Sequence, residues 1–297
     1  MKRLLSRLRK ARPDIESELA KRRRESSFPY ISGDTFRSLS DVVVDEAGVS
    51  TQEWTDLRSI FCATKYAVKV LDLLVDPVRR QAARSMVLIV HNGDTPPHAA
   101  VFAQLIPFFD SVYSVNVTNE LENLGVQGLP IGLENLHWKN HGKIDKYSAR
   151  EEVTLSVSWD RPNLILSSFS VHTNQPVRSA LMELLKSSQL PRLETLGDGS
   201  AYEKGLRSSV FVLSPQGNGL DCHRTWEALY SGAIPVVTRG TLSETLTNEL
   251  PILVTPDWAT FLGSSEEELR EAAKTLGAMS LESAYMPYWI DKLELRK

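Results

Sequence analysis

Cysteine is nearly absent. Two in 297 residues, Cys62 and Cys222, are too few for a disulfide framework and cannot ligate a structural metal by themselves. No apolar run approaches the roughly 18 residues that a membrane-crossing helix needs. The opening Met-Lys-Arg-Leu-Leu-Ser-Arg-Leu-Arg-Lys has no continuous apolar core of the kind a secretory signal carries. Excess charge of one sign is also missing: 34 Lys and Arg against 37 Asp and Glu leave −3, which gives no global field for a nucleic-acid partner. These absences lead to the expectation of a cytoplasmic protein from a reducing compartment, with no nucleic acid bound. What is present is an apolar fraction of 42%, enough for ordinary cores and against wholesale disorder. The length suits two modest domains or one large one.

The near-neutral total conceals a split. Residues 1–24 hold ten Lys and Arg against three acids, +7, which leaves −10 on residues 25–297 out of the total of −3. Leu4, Leu5 and Leu8 share one face of a possible helix in this arm. That pattern predicts a peripheral contact with an anionic membrane surface or acidic partner. The same residues also suit a solvated arm, since three leucines bury little area.

Beyond the arm, short apolar runs alternate with helical periodicity. Val42-Val43-Val44, 86–90, 112–115 and a short run at 129–132 read as strands; 54–74 and 98–109 read as helices. After a polar, basic stretch around 140–152 the alternation restarts. Strands are expected at 163–169, 210–213, 233–237 and 251–254, and helices at 175–187, 221–231 and 265–277. Alternating strand and helix predicts parallel sheets covered by helices, here two α/β domains in tandem with the ligand in their cleft.

The segment that carries chemistry is 210–237. An apolar strand runs into Ser214-Pro-Gln-Gly-Asn-Gly-Leu-Asp-Cys-His-Arg-Thr-Trp-Glu227, a loop with glycines at 217 and 219 followed at once by a helix. Glycines let a backbone approach a ligand, and the N–H groups and dipole of a helix start suit a phosphate. Arg224 adds a bidentate anion contact, and Glu227 is a carboxylate able to accept from ribose hydroxyls. The same features also suit a tight turn followed by a surface ion pair. A P-loop is excluded because no Gly-Lys-Ser/Thr follows the glycines. A dinucleotide fingerprint fits less well, because Cys222 stands where its third glycine or alanine belongs. Trp226 and Cys222 fall on the core side of the helix, and Cys222 reads as packing, not a nucleophile. His137 and His141 are spaced i, i+4 without an evident third metal ligand.

This segment resembles the donor-binding segment of exostosin-like glycosyltransferases. Val87-Leu-Ile-Val-His-Asn-Gly-Asp94, Leu129-Pro-Ile-Gly-Leu-Glu-Asn135, Phe169-Ser-Val-His-Thr-Asn174 with Arg178, and Tyr288-Trp289 are similar to further segments of that group. The resemblance implies the GT-B architecture: two Rossmann-like domains facing each other across a cleft, with a C-terminal helix crossing back to the first. The corresponding division is a basic arm at 1–25, an acceptor-side domain at 26–150, a nucleotide-sugar domain at 151–284 and a closing helix at 285–297. It implies transfer from a UDP-sugar (xylose, glucuronic acid, galactose or N-acetylglucosamine type) to a hydroxyl of a glycan or glycoconjugate, inverting and independent of metal, with no cofactor. The absence of Asp-x-Asp agrees with the last point. Donor contacts are then expected from Ser214, Pro215, Gly217, Asn218, Gly219, His223, Arg224, Thr225 and Glu227, joined by His172, Asn174 and Arg178. An inverting transfer needs a base on the opposite domain. Asp94 after the 86–90 strand comes first, followed by Glu46, His91 and Glu134; Asn92-Gly-Asp-Thr-Pro-Pro also suits a turn or helix cap. The alternative is a non-catalytic module of the same fold that binds nucleotide-sugar or glycan.

Overall fold

The computed structural model describes residues 24–138, 144, 147, 157–194 and 199–295. The first half of the chain builds β1 (Val42–Asp45), β2 (Gly48–Val49), β3 (Ser59–Ala63), β4 (Val87–His91), β5 (Ser111–Ser114) and β6 (Gln127–Gly128). They form one sheet in the order β2-β1-β3-β4-β5-β6, parallel except for the β1–β2 edge pair. Because the central strands are buried on both faces, their apolar residues run continuously. Val43, Phe61 and Ile89 enter one core, while Val42, Ile60, Cys62, Leu88 and Val90 enter another. After a short helix α1 (Gly33–Leu39) ahead of the sheet, the crossovers carry α2 (Ala67–Leu73), α3 (Pro77–Ala83), α4 (Ala99–Leu105) and α5 (Asn119–Asn123). From β3 to β6 these connections all step in one direction, and right-handed crossovers of that kind place their helices on one face. The other face needs a separate cover.

The second half builds β7 (Asn163–Ser167), β8 (Arg192–Glu194), β9 (Ser209–Leu213), β10 (Ile234–Thr238) and β11 (Leu253–Thr255), all parallel, in the order β11-β10-β9-β7-β8. Here the direction reverses. From β7 the chain goes out over α6 (Gln175–Ser187) to β8, then returns past β7 over α7 (Gly199–Ser208) to β9. It continues the other way through α8 (His223–Tyr230) and α9 (Glu244–Glu249). A reversal opens a crevice at the carboxyl ends of the two strands that flank it. Those strands are β7 and β9, and the loops leaving them are 168–174 and 214–222.

Two further helices, α10 (Trp258–Gly263) and α11 (Glu266–Gly277), precede the last one, α12 (Met286–Lys292). This helix supplies the missing cover. Trp289 is fully buried and meets Phe36 of α1 edge-on at 6.3 Å, in the same core as Val43, Phe61 and Ile89. The Met286 N–H donates to Pro29 O at 2.9 Å, and Tyr30 bridges Tyr285. Together with Phe36 of α1, Trp289 of α12 covers the second face of the first sheet.

Three expectations are corrected. The helix expected over 54–74 is a strand at Ser59–Ala63 and a helix only over Ala67–Leu73. Ile60 and Phe61 mimic a helical stripe, but the run Ile-Phe-Cys-Ala is buried throughout, as a central parallel strand requires. The short strand expected at 129–132 lies at Gln127–Gly128, and from there the chain leaves the sheet toward the second half. The strand expected at 251–254 is Leu253–Thr255. The elements α1, α3, α7, α9, β2 and β8 carry too few apolar positions to show a period.

Candidate active site

The donor-like segment folds as β9, a loop and α8. Cys222 occupies the N-cap of α8 and gives no side-chain hydrogen bond to the helix start. The Thr225 N–H donates to Cys222 O at 3.0 Å, and the amides of His223 and Arg224 before it have no intrahelical partner. Much of the surrounding machinery holds this loop in shape. Arg178, 4% exposed, donates to the carbonyls of Ser170 (2.6 Å), Pro215 (3.1 Å) and Gln216 (2.9 Å), and to the Thr173 hydroxyl. Burial, and then the charge of Arg224, pull Arg178 below its ordinary range. Asn174 caps α6 and donates to Gly217 O at 3.0 Å. Ser214 and Thr225 are buried and bond each other at 2.9 Å. The buried carbonyl of Pro215 receives the Cys222 thiol as well as Arg178. These five residues were expected at the donor; the structure instead commits their polar groups to one another. Four of the five guanidinium N–H donors are thus held by oxygens of the loops, and the fifth meets only Cys222 Sγ at 4.0 Å.

Arg178 nevertheless lines, with His172, Gly217, Asn218, Gly219 and Arg224, a cleft of about 930 Å³. Arg224 Nε is buried with no hydrogen-bond partner among the described residues. Glu227 Oε2 accepts from the Tyr202 hydroxyl at 2.6 Å. His223 donates or accepts at Nδ1 with Gly132 O, 2.8 Å away on the first half; a carbonyl only accepts, so Nδ1 carries the proton and Nε2 is the remaining ring nitrogen. Burial raises the Cys222 thiol above its usual range, the opposite of what a nucleophile needs. Trp226 is fully buried.

The four candidate bases converge on a second cavity of about 430 Å³. Asp94, Glu134, Ile131 and His223 line both cavities, which therefore form one continuous cleft. The four differ sharply in state. His91 is buried; its Nδ1 accepts from the Asn92 N–H at 2.8 Å and its Nε2 donates to Pro130 O at 3.1 Å. Burial lowers its pKa to about 4. With both nitrogens occupied it has no lone pair for a substrate, and it is struck from the list of bases. Glu46 is ion-paired with Arg24. Asp94 is exposed, and its Oδ2 lies 3.4 Å from Asn218 Nδ2 across the cleft. Glu134 is different: its Oε2 is buried and has no hydrogen-bond partner among the described residues.

The two halves meet tightly around this cleft. Asn116, left-handed at φ 55° after β5, donates to the carbonyls of Gly93 (2.9 Å) and Asp94 (3.1 Å) and accepts from Asp221 N at 2.9 Å. A Cβ at Gly219 would stand 2.4 Å from Asp94 O and 2.7 Å from Asn116 Oδ1. Gly219 is therefore glycine because the loop touches the other half of the protein, where approach to a ligand was expected to be the reason. Gly219→Ala is expected to push the loop off this wall and cost roughly 1–3 kcal/mol in chemical denaturation.

Asp221 is the residue the motif reading passed over. It accepts from Ile131 N (2.8 Å) and Trp226 Nε1 (2.9 Å), joining the halves from a fully buried position. Burial raises its carboxyl to about 7 against the pull of those donors. A raised carboxyl is stabilising while protonated, so its contribution is whole below about pH 4 and is lost as pH rises through about 7. Asp221→Asn is expected to remove that loss, flattening the urea-denaturation free energy between pH 4 and 7 relative to the parent. An unchanged slope would contradict it.

Sequence reasoning also missed Tyr202 and Asp34, and it weighed His137 only as a metal ligand with His141. Asp34, 1% exposed, accepts from Arg24 at 2.8 Å and pairs with His137 Nδ1 at 2.9 Å. Residues 1–23 of the basic arm and His141 lie outside the described residues, but Arg24 belongs to the cleft wall. No group of three His, Cys, Asp or Glu stands ready for a metal ion, and no helix is long and apolar enough to cross a membrane, among the described residues.

No family model matches the chain, and no curated protein matches it. Among solved structures it is similar to the catalytic domain of starch synthase IV from Arabidopsis thaliana bound to ADP and acarbose. That match has TM-score 0.37 and 13% identity, covering 80% of this chain and 72% of that one. It is also similar to the N-terminal domain of a trehalose-6-phosphate phosphatase from Candida albicans, with TM-score 0.41 and 12% identity over 80% of this chain and 69% of that one.

Proposed function

We propose that the protein is a GT-B glycosyltransferase of the exostosin-like kind, moving a sugar from a UDP-sugar to a hydroxyl of a glycan acceptor with inversion. The observation that supports this most is a pair of opposed, uncompensated groups in one cleft: Arg224 Nε on the second half and Glu134 Oε2 on the first. Buried polar atoms are almost always satisfied, and of the few among the described residues that are not, these two are the ones that line the cleft.

In this reading the diphosphate sits at the start of α8 and on Arg224, and Glu227 holds the ribose. As the acceptor oxygen bonds to the anomeric carbon, the bond from that carbon to the diphosphate breaks. The helix amides and Arg224 stabilise the negative charge that leaves with the nucleotide. Glu134 takes the acceptor hydroxyl proton. It is preferred to Asp94 because Asp94 is exposed and already faces Asn218, and to Glu46 because an arginine occupies that carboxylate. The acidic body makes local groups essential, since the global field repels a diphosphate. Titration calorimetry with UDP tests the donor half: saturable binding is expected. No binding of UDP, of any other nucleoside diphosphate or of a nucleotide sugar would overturn it.

A further inference from the structure

The acceptor side of the cleft has a feature that the transfer chemistry does not use. Trp138 is 45% exposed and forms part of the wall of the 430 Å³ cavity, a volume within the roughly 300–1,000 Å³ of small-ligand sites. Trp159 is about as exposed, at 42%, but the open indole in the wall of this cavity is that of Trp138. Its backing is unusually well built. The His137 ring lies 5.1 Å from the Trp138 ring, and His137 Nδ1 is held by buried Asp34 at 2.9 Å. Asp34 is fixed in turn by Arg24 at 2.8 Å and Asn92 at 3.3 Å, and its N–H donates to Asn135 Oδ1 at 2.8 Å. Asn135 closes the network on Asn92 at 3.0 Å. A polar network this complete rigidifies what rests on it, and what rests on it is the indole.

The remaining wall decides what the indole faces. Glu46, Asp94 and Glu134 bring three carboxylates to the cavity. They face two cations on the same wall, Lys65 and Arg24, and Arg24 is shared between Glu46 and the buried Asp34 behind it, so carboxylates outnumber cations there. An aromatic face beside acceptors of hydrogen bonds is complementary to a pyranose ring, whose C–H face is apolar and whose hydroxyls donate. Surplus carboxylate disfavours a negatively charged ring, because like charges brought together cost affinity.

We propose that this cavity binds a neutral pyranoside acceptor, its C–H face stacked on Trp138 and its hydroxyls on the cavity carboxylates. The inference rests on the glycosyltransferase reading for its meaning but not for its test. Methyl β-glucopyranoside, β-galactopyranoside, β-xylopyranoside and β-glucuronide are titrated into the protein with and without UDP, and binding is read by saturation-transfer NMR. At least one neutral pyranoside is expected to bind through its C–H face. Its affinity should fall about tenfold or more in Trp138→Ala and stay within about threefold in Trp138→Phe, as expected of an aromatic contact. The glucuronide should bind about tenfold more weakly than its neutral counterpart, as expected of like-charge repulsion. Equal binding to Trp138→Ala, tighter glucuronide binding, or no pyranoside binding at all would overturn the proposal. UDP is titrated separately by calorimetry. Failure there strikes the donor reading, while the pyranoside result still decides this one.

Discussion

Arg224→Ala is expected to weaken UDP binding about 100-fold or more. Hydrogen bonds to charged groups contribute about 1.5–3 kcal/mol each, and every 1.4 kcal/mol is tenfold. A guanidinium bonded twice to a diphosphate therefore accounts for about two to four orders of magnitude. Arg224 Nε has no partner among the described residues, but the guanidinium also bonds the Tyr202 side chain. Thermal stability is therefore read alongside UDP affinity, and the loss of affinity should exceed what any loss of stability explains. Arg178 is the contrast within the same cleft. Its guanidinium holds the carbonyls of Ser170, Pro215 and Gln216, and Arg178→Ala should unfold the loop. If Arg224→Ala bound UDP like the parent, the diphosphate would not sit at the start of α8.

Glu134→Gln should leave UDP affinity unchanged and lower the rate of sugar transfer by about 10²–10⁴, the usual contribution of a general base. The amide is nearly isosteric and cannot take a proton, so the comparison isolates that one role. Transfer at the parental rate would remove Glu134 and return the role to Asp94, which lines the same two cavities. The pair of substitutions also separates an enzyme from a binding module of the same fold. In a binding module the parent would bind UDP and turn over nothing, and Glu134→Gln would be silent.

What could be read from the chain was local. Residues 210–230 disclose strand, glycine loop and helix because each part acts on its immediate neighbours. The run at 265–277 discloses α11 because Ser265 and Glu268 form a capping box three residues apart. The roles inside the cleft were less legible, because they depend on partners far along the chain. Nothing near Arg178 says that its guanidinium will meet carbonyls at 215 and 216, and nothing near His91 says that Pro130 will fill its second nitrogen. Asp34 and His137 meet across 103 residues, in segments with no motif. Strand β3 was misread because a fully buried strand and a helical stripe look alike over a few residues. The charge split also needs redrawing. Arg24, counted with the basic arm, folds onto Asp34 and Glu46 and is part of the cleft wall.

The central claim is that the opposed Arg224 and Glu134 act on one UDP-sugar. Its most direct test is UDP release, measured by coupled assay, from a panel of UDP-glucuronic acid, UDP-N-acetylglucosamine, UDP-galactose, UDP-glucose and UDP-xylose, with and without a glycan acceptor. The account predicts that one donor is turned over by the parent, faster with acceptor, and that Arg224→Ala and Glu134→Gln each abolish the acceptor-dependent part. Acceptor-dependent release of UDP that survives both substitutions, or no release from any donor, would contradict it.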